Sequence, residues 1–372
     1  MWYDVLHSTH SREAWRWAAL RVSLSTYPDQ KFLLSGSRKA GVVPVIRIDD
    51  CTKTMVESIL ETVGRKSQVD ICLSRIPGTI EAVLLSQAVS KVEKCRIWCG
   101  KAGQLEAILS ALSEGQDITL KSLSFYGMVV ARVSPDILGR AAVKLVKLDL
   151  PRHTSAQIGE ILTRLASTKG SKLSKFHLSS YGGEKDLSHL SPAIVTAALM
   201  KLETTGAILQ HVRLSPDQIK DLITKMSGTE DLKFTWLHLA DVNILQAAPD
   251  VVAGAVTRLV SVTMVDVSPA QLRSLFTRIQ FGGSRLKKLS LSRVDLSALN
   301  LEDLLGAIRM LERVTFVGAA FTTAQVSAIV NMVIQRSQGK LVKLEIISPN
   351  VEGEAFDLLK AAEPNDILEI EF

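Results

Sequence analysis

The chain has 372 residues, 47% of them hydrophobic, and a formal net charge of +6. The basic excess, 44 against 38, contains no run of five or more Lys/Arg, which leaves nucleic acid unindicated as a partner. No apolar stretch approaches the ~18 residues of a membrane span, no leader-like segment opens the sequence, and four cysteines are too few for a secreted disulfide scaffold. These features predict an intracellular address, cytoplasmic or nuclear, and no membrane partner.

Residues 1–40 form a first segment, aromatic and helical in pattern, with Trp2, Val5, Leu6, Trp15, Trp17, Leu20 and Val22 as its apolar positions. From Val43 onward an apolar-x-x-apolar-x-apolar pattern recurs about every 27 residues. Strong copies include Leu120-Leu123-Phe125, Leu145-Leu148-Leu150, Leu173-Phe176-Leu178, Leu286-Leu289-Leu291 and Leu311-Val314-Phe316. Weaker ones start at Val43, Gln68, Val92, Leu202 and Asn365. The unit from 173 to 233 is irregular, because Leu209-Val212-Leu214 competes for register with Leu202-Thr205-Ala207.

Each strand signal is followed by a helix signal, and the helices are of two kinds. One carries Gln in its first turn, at Gln104, Gln157, Gln218, Gln271 and Gln325. The other begins Pro-x-aliphatic-aliphatic, at Pro135, Pro192 and Pro249, spaced 57 residues apart. The alternation predicts a double repeat of roughly 55 residues. Ser134, Ser191, Ser215 and Ser268 each precede a proline, a pattern expected of helix N-caps because the hydroxyl accepts an orphan N–H and proline at the first position loses no bond.

Parallel strands joined through helices bury one stripe per unit, so residues 41–372 are expected to form an α/β solenoid of about 12–13 units. The pattern resembles the ribonuclease-inhibitor-like subclass of leucine-rich-repeat proteins. That resemblance implies a horseshoe with a parallel sheet on the concave face, helices on the convex face, and protein binding as the function. One departure stands out. Where the family places Asn or Cys three residues past the third leucine, this chain has Cys51, His153, Val267, Val294 and Ala319 among others, and no Asn. The turning backbone must be satisfied some other way or be looser.

The N-terminal segment is similar to the C-terminal half of an F-box, with Trp2, Leu6 and Trp15 as the residues that would contact a ubiquitin-ligase adaptor. That resemblance implies, as the alternative function, the substrate-recognition subunit of a cullin-type ubiquitin ligase. The Leu-Pro-rich first half of that motif is absent. A cap over the open end of the solenoid is the other reading.

Strand side chains alternate, so the residues between the leucines face outward. Eight basic and six acidic residues occupy those positions, with the acids mostly toward the ends, leaving a basic middle. The expected binding face comprises Arg47, Lys94, Arg96, Trp98, Tyr126, Lys147, Lys175, His177, Trp236, His238, Lys288 and Arg313. Aromatic residues beside cations are common interface anchors and fit an acidic protein or peptide; a merely solvated sheet would also carry polar residues there. No nucleotide-binding loop, zinc-protease motif or nucleophile elbow occurs. The seven histidines lack metal-ligand spacing, and Cys95 takes a core position of its strand. The expectation is a non-enzymatic protein without cofactor or metal.

Overall fold

A computed structural model describes residues 22–23, 45–48, 53, 56–57, 67–74, 76, 80–98, 102–115, 118–126, 130–178, 185–209, 211–239, 244, 246–281, 283–335, 339–351, 353–361 and 367–371. Strands and helices alternate along the chain, and every described strand pairing is parallel. Contacts divide the chain into two compact units, Met1–Gly183 and Glu184–Phe372. The expected boundary at residue 40 falls outside the described residues. Among the described residues no helix is long and apolar enough to cross a membrane.

In unit 1, seven strands lie side by side in chain order: β1 (Val22–Ser23), β2 (Val45–Ile48), β3 (Ser67–Ser74), β4 (Val92–Trp98), β5 (Ser122–Tyr126), β6 (Lys147–Leu150) and β7 (Lys175–Leu178). Between them run α1 (Ala82–Ser90), α2 (Ala102–Glu114), α3 (Pro135–Ala142) and α4 (Ser155–Ser167), each packed on the next. The register places like with like. Ile71, Cys95, Leu123, Leu148 and Phe176 form one buried row across five strands. Truncating a leucine within such a row to alanine costs about 2–5 kcal/mol.

Unit 2 starts with a two-stranded ladder, β8 (Lys185–Asp186) and β9 (Val212–Arg213). A six-stranded sheet follows: β10 (Trp236–Leu239), β11 (Ser261–Val265), β12 (Lys288–Ser292), β13 (Arg313–Val317), β14 (Lys343–Ile347) and β15 (Leu368–Glu371). Its helices are α5 (Pro192–Leu199), α6 (Thr205–Leu209), α7 (Pro216–Ser227), α8 (Pro249–Val256), α9 (Pro269–Phe281), α10 (Leu301–Met310), α11 (Thr323–Ile334) and α12 (Glu354–Ala361). The buried row here is Leu237, Val262, Leu289, Val314, Leu344 and Leu368.

The two helix kinds differ in length as well as sequence. Gln-type α2, α4, α7, α9 and α11 have 12 or 13 residues, whereas α1, α3, α5, α8, α10 and α12 have 8 to 10. Of the short helices, α3, α5 and α8 are rich in small residues. A Cβ built at Gly139 would stand 2.9 Å from Glu160 Cγ and 3.1 Å from Arg164 Cγ, so α3 and α4 pack closely there.

Two expectations are corrected. The strand read from Leu202-Thr205-Ala207 is instead the short helix α6, and the competing register forms β9. Thr205 explains the choice: it is fully buried, and its hydroxyl donates to the carbonyls of Leu199 at 2.6 Å and Leu202 at 3.1 Å, which ties it to the preceding helix end. Of the four serines ahead of proline, Ser191, Ser215 and Ser268 cap their helices, but Ser134 makes no cap bond. Nothing in the structure explains that exception.

Two devices satisfy the backbone where strands turn into the following segments. The first is backbone to backbone. Residues two positions past the third apolar residue (Arg152, Asp266, Arg293, Gly318 and Ser348) adopt positive φ. In unit 2 their N–H groups reach the next unit, as in Arg293 N to Val317 O at 2.8 Å and Gly318 N to Ile347 O at 2.9 Å. Ala320 N and Asn350 N continue the ladder one turn further, each donating to the preceding unit at 2.9 Å. Val267, Val294 and Ala319, one residue past these positions, are therefore free to be buried and apolar.

The second device is the glutamine of the long helices. Gln157, Gln218, Gln271 and Gln325 are buried at the third helical position. Each Oε1 accepts from the N–H of the capping residue, at 2.7–3.2 Å. Each Nε2 donates to two carbonyls of a turn 24 to 31 residues upstream: Val130 and Val133, Leu187 and Leu190, Ile244 and Ala247, Leu296 and Leu299. Gln104 donates likewise to Ile80 O at 3.4 Å. One amide thus caps its own helix and closes the preceding unit's turn, leaving no polar atom of the side chain unspent.

Candidate binding surface

The sheet face opposite the buried rows is lined by the residues that alternate with the core. Ten predicted face residues have described side chains, and all ten are exposed or half-buried: Lys94, Arg96, Tyr126, Lys147, Lys175, His177, Trp236, His238, Lys288 and Arg313. Arg47 and Trp98 take the expected strand positions, opposite Cys72 and Tyr126, but their side chains lie outside the described residues. Trp2, Leu6 and Trp15, the expected adaptor contacts, lie outside them altogether.

Register brings the cations together. In unit 1, Lys94, Ser122, Lys147 and Lys175 are in line on β4 to β7, so Lys147 and Lys175 are immediate cross-strand neighbours. In unit 2 the corresponding line is Trp236, Ser261, Lys288, Arg313 and Lys343, with three cations on consecutive strands. Neighbouring parallel strands stand about 4.8 Å apart, and like charges facing each other there are destabilising.

Some of this charge is neutralised within the sheet. Lys343 Nζ lies 2.7 Å from Glu345 and 2.6 Å from Glu369, which raises its pKa. Glu345 is lowered by hydrogen bonds from Lys343 and from Thr315 Oγ1, the latter at 2.7 Å. Among the described residues Lys288 and Arg313 make no ion pair, although the Arg313 charge helps to lower the Glu345 carboxyl.

In the next row of unit 1, Ser124, Asp149 and His177 are joined. Asp149 Oδ1 meets His177 Nδ1 at 2.8 Å, Ser124 donates to Oδ2 at 2.5 Å, and Lys147 stands 3.3 Å from the same oxygen. Burial alone would raise the Asp149 carboxyl, but the bonds from His177 and Ser124 and the Lys147 charge outweigh it, and its pKa is lowered. These three residue types also make hydrolytic triads, yet the order is wrong: the carboxylate sits between Ser124 and His177, so the imidazole is not placed to take the serine proton. Ser124, expected to face solvent, is buried by this arrangement. Among the described residues no group of three His, Cys, Asp or Glu is placed to hold a metal ion.

Trp236 stands at the edge of the six-stranded sheet and is 37% exposed. Its inner side is held by α6: a Cβ built at Gly206 would lie 2.6 Å from Trp236 O and 2.8 Å from ring atom Cε3. The ring therefore rests on bare helix backbone and presents its other side outward, two strands from Lys288. The sequence marked Trp236 but missed its platform, because Gly206 belongs to the segment misread as a strand.

No protein-family model matches the chain, and no curated protein matches it.

Proposed function

We propose that this chain is a non-enzymatic interaction module of the leucine-rich-repeat kind, acting inside the cell. Its strands line the concave face of a horseshoe, its helices cover the convex face, and the strand face binds an acidic protein or peptide. The observation that carries the reading is the juxtaposition of Lys147 with Lys175 and of Lys288 with Arg313. The second pair places like charges, without an ion pair among the described residues, on adjacent strands. That arrangement weakens the free protein by a few tenths of a kcal/mol and is relieved when an anion lies across it, whereas Lys147 is already held by Asp149 at 3.3 Å. Trp236, exposed beside the unit 2 cations, supplies an apolar anchor of the kind that concentrates binding energy.

The test is quantitative affinity capture with the wild-type protein and with a variant carrying Lys147→Glu, Lys175→Glu, Lys288→Glu and Arg313→Glu. Partners bound by the wild type are expected to be lost by the variant, whose circular dichroism stays unchanged. Equal capture of the same partners contradicts the proposal. A captured nucleic acid whose binding falls steeply with salt replaces the protein partner.

A further inference from the structure

The helix-to-strand connections of unit 2 gather along one edge, which carries apolar side chains unrelated to the sheet face. Phe281, Met310 and Ile334 are the last residues of α9, α10 and α11. They are 75%, 41% and 66% exposed, and Val342, just ahead of β14, is 66% exposed. Four of the seven large hydrophobic residues exposed among the described residues thus share one edge of one unit. The edge is continuous: α9 packs on α10 and α10 on α11, Lys340 N donates to Arg309 O at 2.8 Å, and Val342 N to Glu312 O at 2.8 Å.

Cations are interleaved with these residues. Arg278, Arg285, Arg309 and Lys340 are exposed and make no side-chain hydrogen bond or ion pair among the described residues. The acid beside them, Glu312, is already held by Lys287 at 2.8 Å. Arg278 and Arg309 sit in the last turns of their helices, where the helix dipole favours positive charge. That accounts neither for Arg285 and Lys340, which lie in the connections, nor for the clustered apolar residues, which mark interaction sites when rimmed by polar groups.

We infer that this edge docks an acidic amphipathic α-helix of a partner protein, laid across the ends of α9, α10 and α11. Packed neighbouring helices stand about 8–10 Å apart. On an α-helix, residues seven apart return to nearly the same face after about 10.5 Å. Apolar residues at i, i+7 and i+14 therefore meet Phe281, Met310 and Ile334 in turn, and one at i+3 or i+4 reaches toward Val342. Carboxylates flanking that stripe face Arg278, Arg285, Arg309 and Lys340. The site is separate from the sheet face and stands whether or not that face binds.

The probe is a fluorescent helical peptide of about 21 residues with leucines in that stripe and glutamates beside it, compared with a scrambled peptide of the same composition. Anisotropy is expected to show saturable binding to the full chain. Binding weakens by at least about tenfold for the scrambled peptide and for the Phe281→Ser, Ile334→Ser protein, whose substituted residues are exposed and whose fold is checked by circular dichroism. The Lys147→Glu, Lys175→Glu protein binds as wild type, which separates this site from the sheet face. Equal binding of the scrambled peptide, equal binding by the serine variant, or no saturation by about 1 mM overturns the inference. So does sedimentation with phosphatidylcholine vesicles containing about a third phosphatidylserine when the peptide does not bind, which assigns the edge to a lipid surface.

Discussion

Gln271 Nε2 donates to the carbonyl of Ala247, 24 residues upstream, at 2.9 Å, while Gln271 Oε1 holds the N–H of Ser268 at the start of its own helix. The same side chain also reaches Ile244 O at 2.7 Å. Replacement by leucine keeps the burial but orphans the Ala247 carbonyl and the Ser268 N–H, while the Ile244 carbonyl keeps the Ala247 N–H at 3.0 Å. Gln271→Leu is expected to destabilise unit 2 by about 2–4 kcal/mol, read as a lowered urea midpoint. A loss below about 0.5 kcal/mol would show that the clamp carries no weight.

Gln271→Glu separates hydrogen bonding from shape. A carboxylate there faces two carbonyl oxygens, so its folded-state pKa rises and its protonated form is favoured. Stability is then fully present below the ordinary Glu value and falls as pH climbs through the raised value. The variant's urea midpoint should decline between acid and neutral pH relative to wild type, and a flat difference refutes the role given to Nε2.

Asp149 behaves in the opposite sense. Its pKa is lowered from the ordinary 3.8, so its contribution is present above that value and lost as pH falls through the folded-state value below it. Asp149→Asn is expected to destabilise unit 1 at neutral pH, with the difference from wild type closing in acid. A difference unchanged between neutrality and about pH 3 contradicts the bonds assigned to His177 and Ser124.

Gly206 is predicted to accept no side chain. Gly206→Ala forces Trp236 off α6, costs about 1–3 kcal/mol and increases quenching of tryptophan fluorescence by acrylamide. The other tryptophans, Trp2, Trp15, Trp17 and Trp98, are removed as Phe in the background used, so the signal reports Trp236 alone.

Arg313→Thr removes one half of the Lys288–Arg313 apposition. The free protein is expected to gain a few tenths of a kcal/mol at low salt, shrinking at high salt, while partner binding is lost. Thermal denaturation at two ionic strengths measures the first effect.

The strand ladder was legible because apolar period and buried register are the same fact: Leu289 opposite Val314 opposite Leu344 needs only one copy of the motif per unit. The outward cations followed from alternation alone. The glutamines were visible as markers of a helix kind but not as clamps, since their acceptors are backbone atoms whose position depends on the preceding unit's turn. Residues 202–209 misled because two apolar triplets competed, and Thr205's hydroxyl bonds, which settle the matter, go to carbonyls three and six residues back whose positions depend on how the preceding helix ends. Ser124's burial likewise depends on Asp149, one strand away.

The claim that the strand face is the binding surface is tested most directly by lysine footprinting of the protein bound to a partner that it captures. Reductive methylation is followed residue by residue in the free and bound states. Protection is predicted at Lys147, Lys175 and Lys288 on the sheet, with Lys220 and Lys225 on α7 reacting as in the free protein. Protection of the α7 lysines with Lys147, Lys175 and Lys288 unchanged would contradict it.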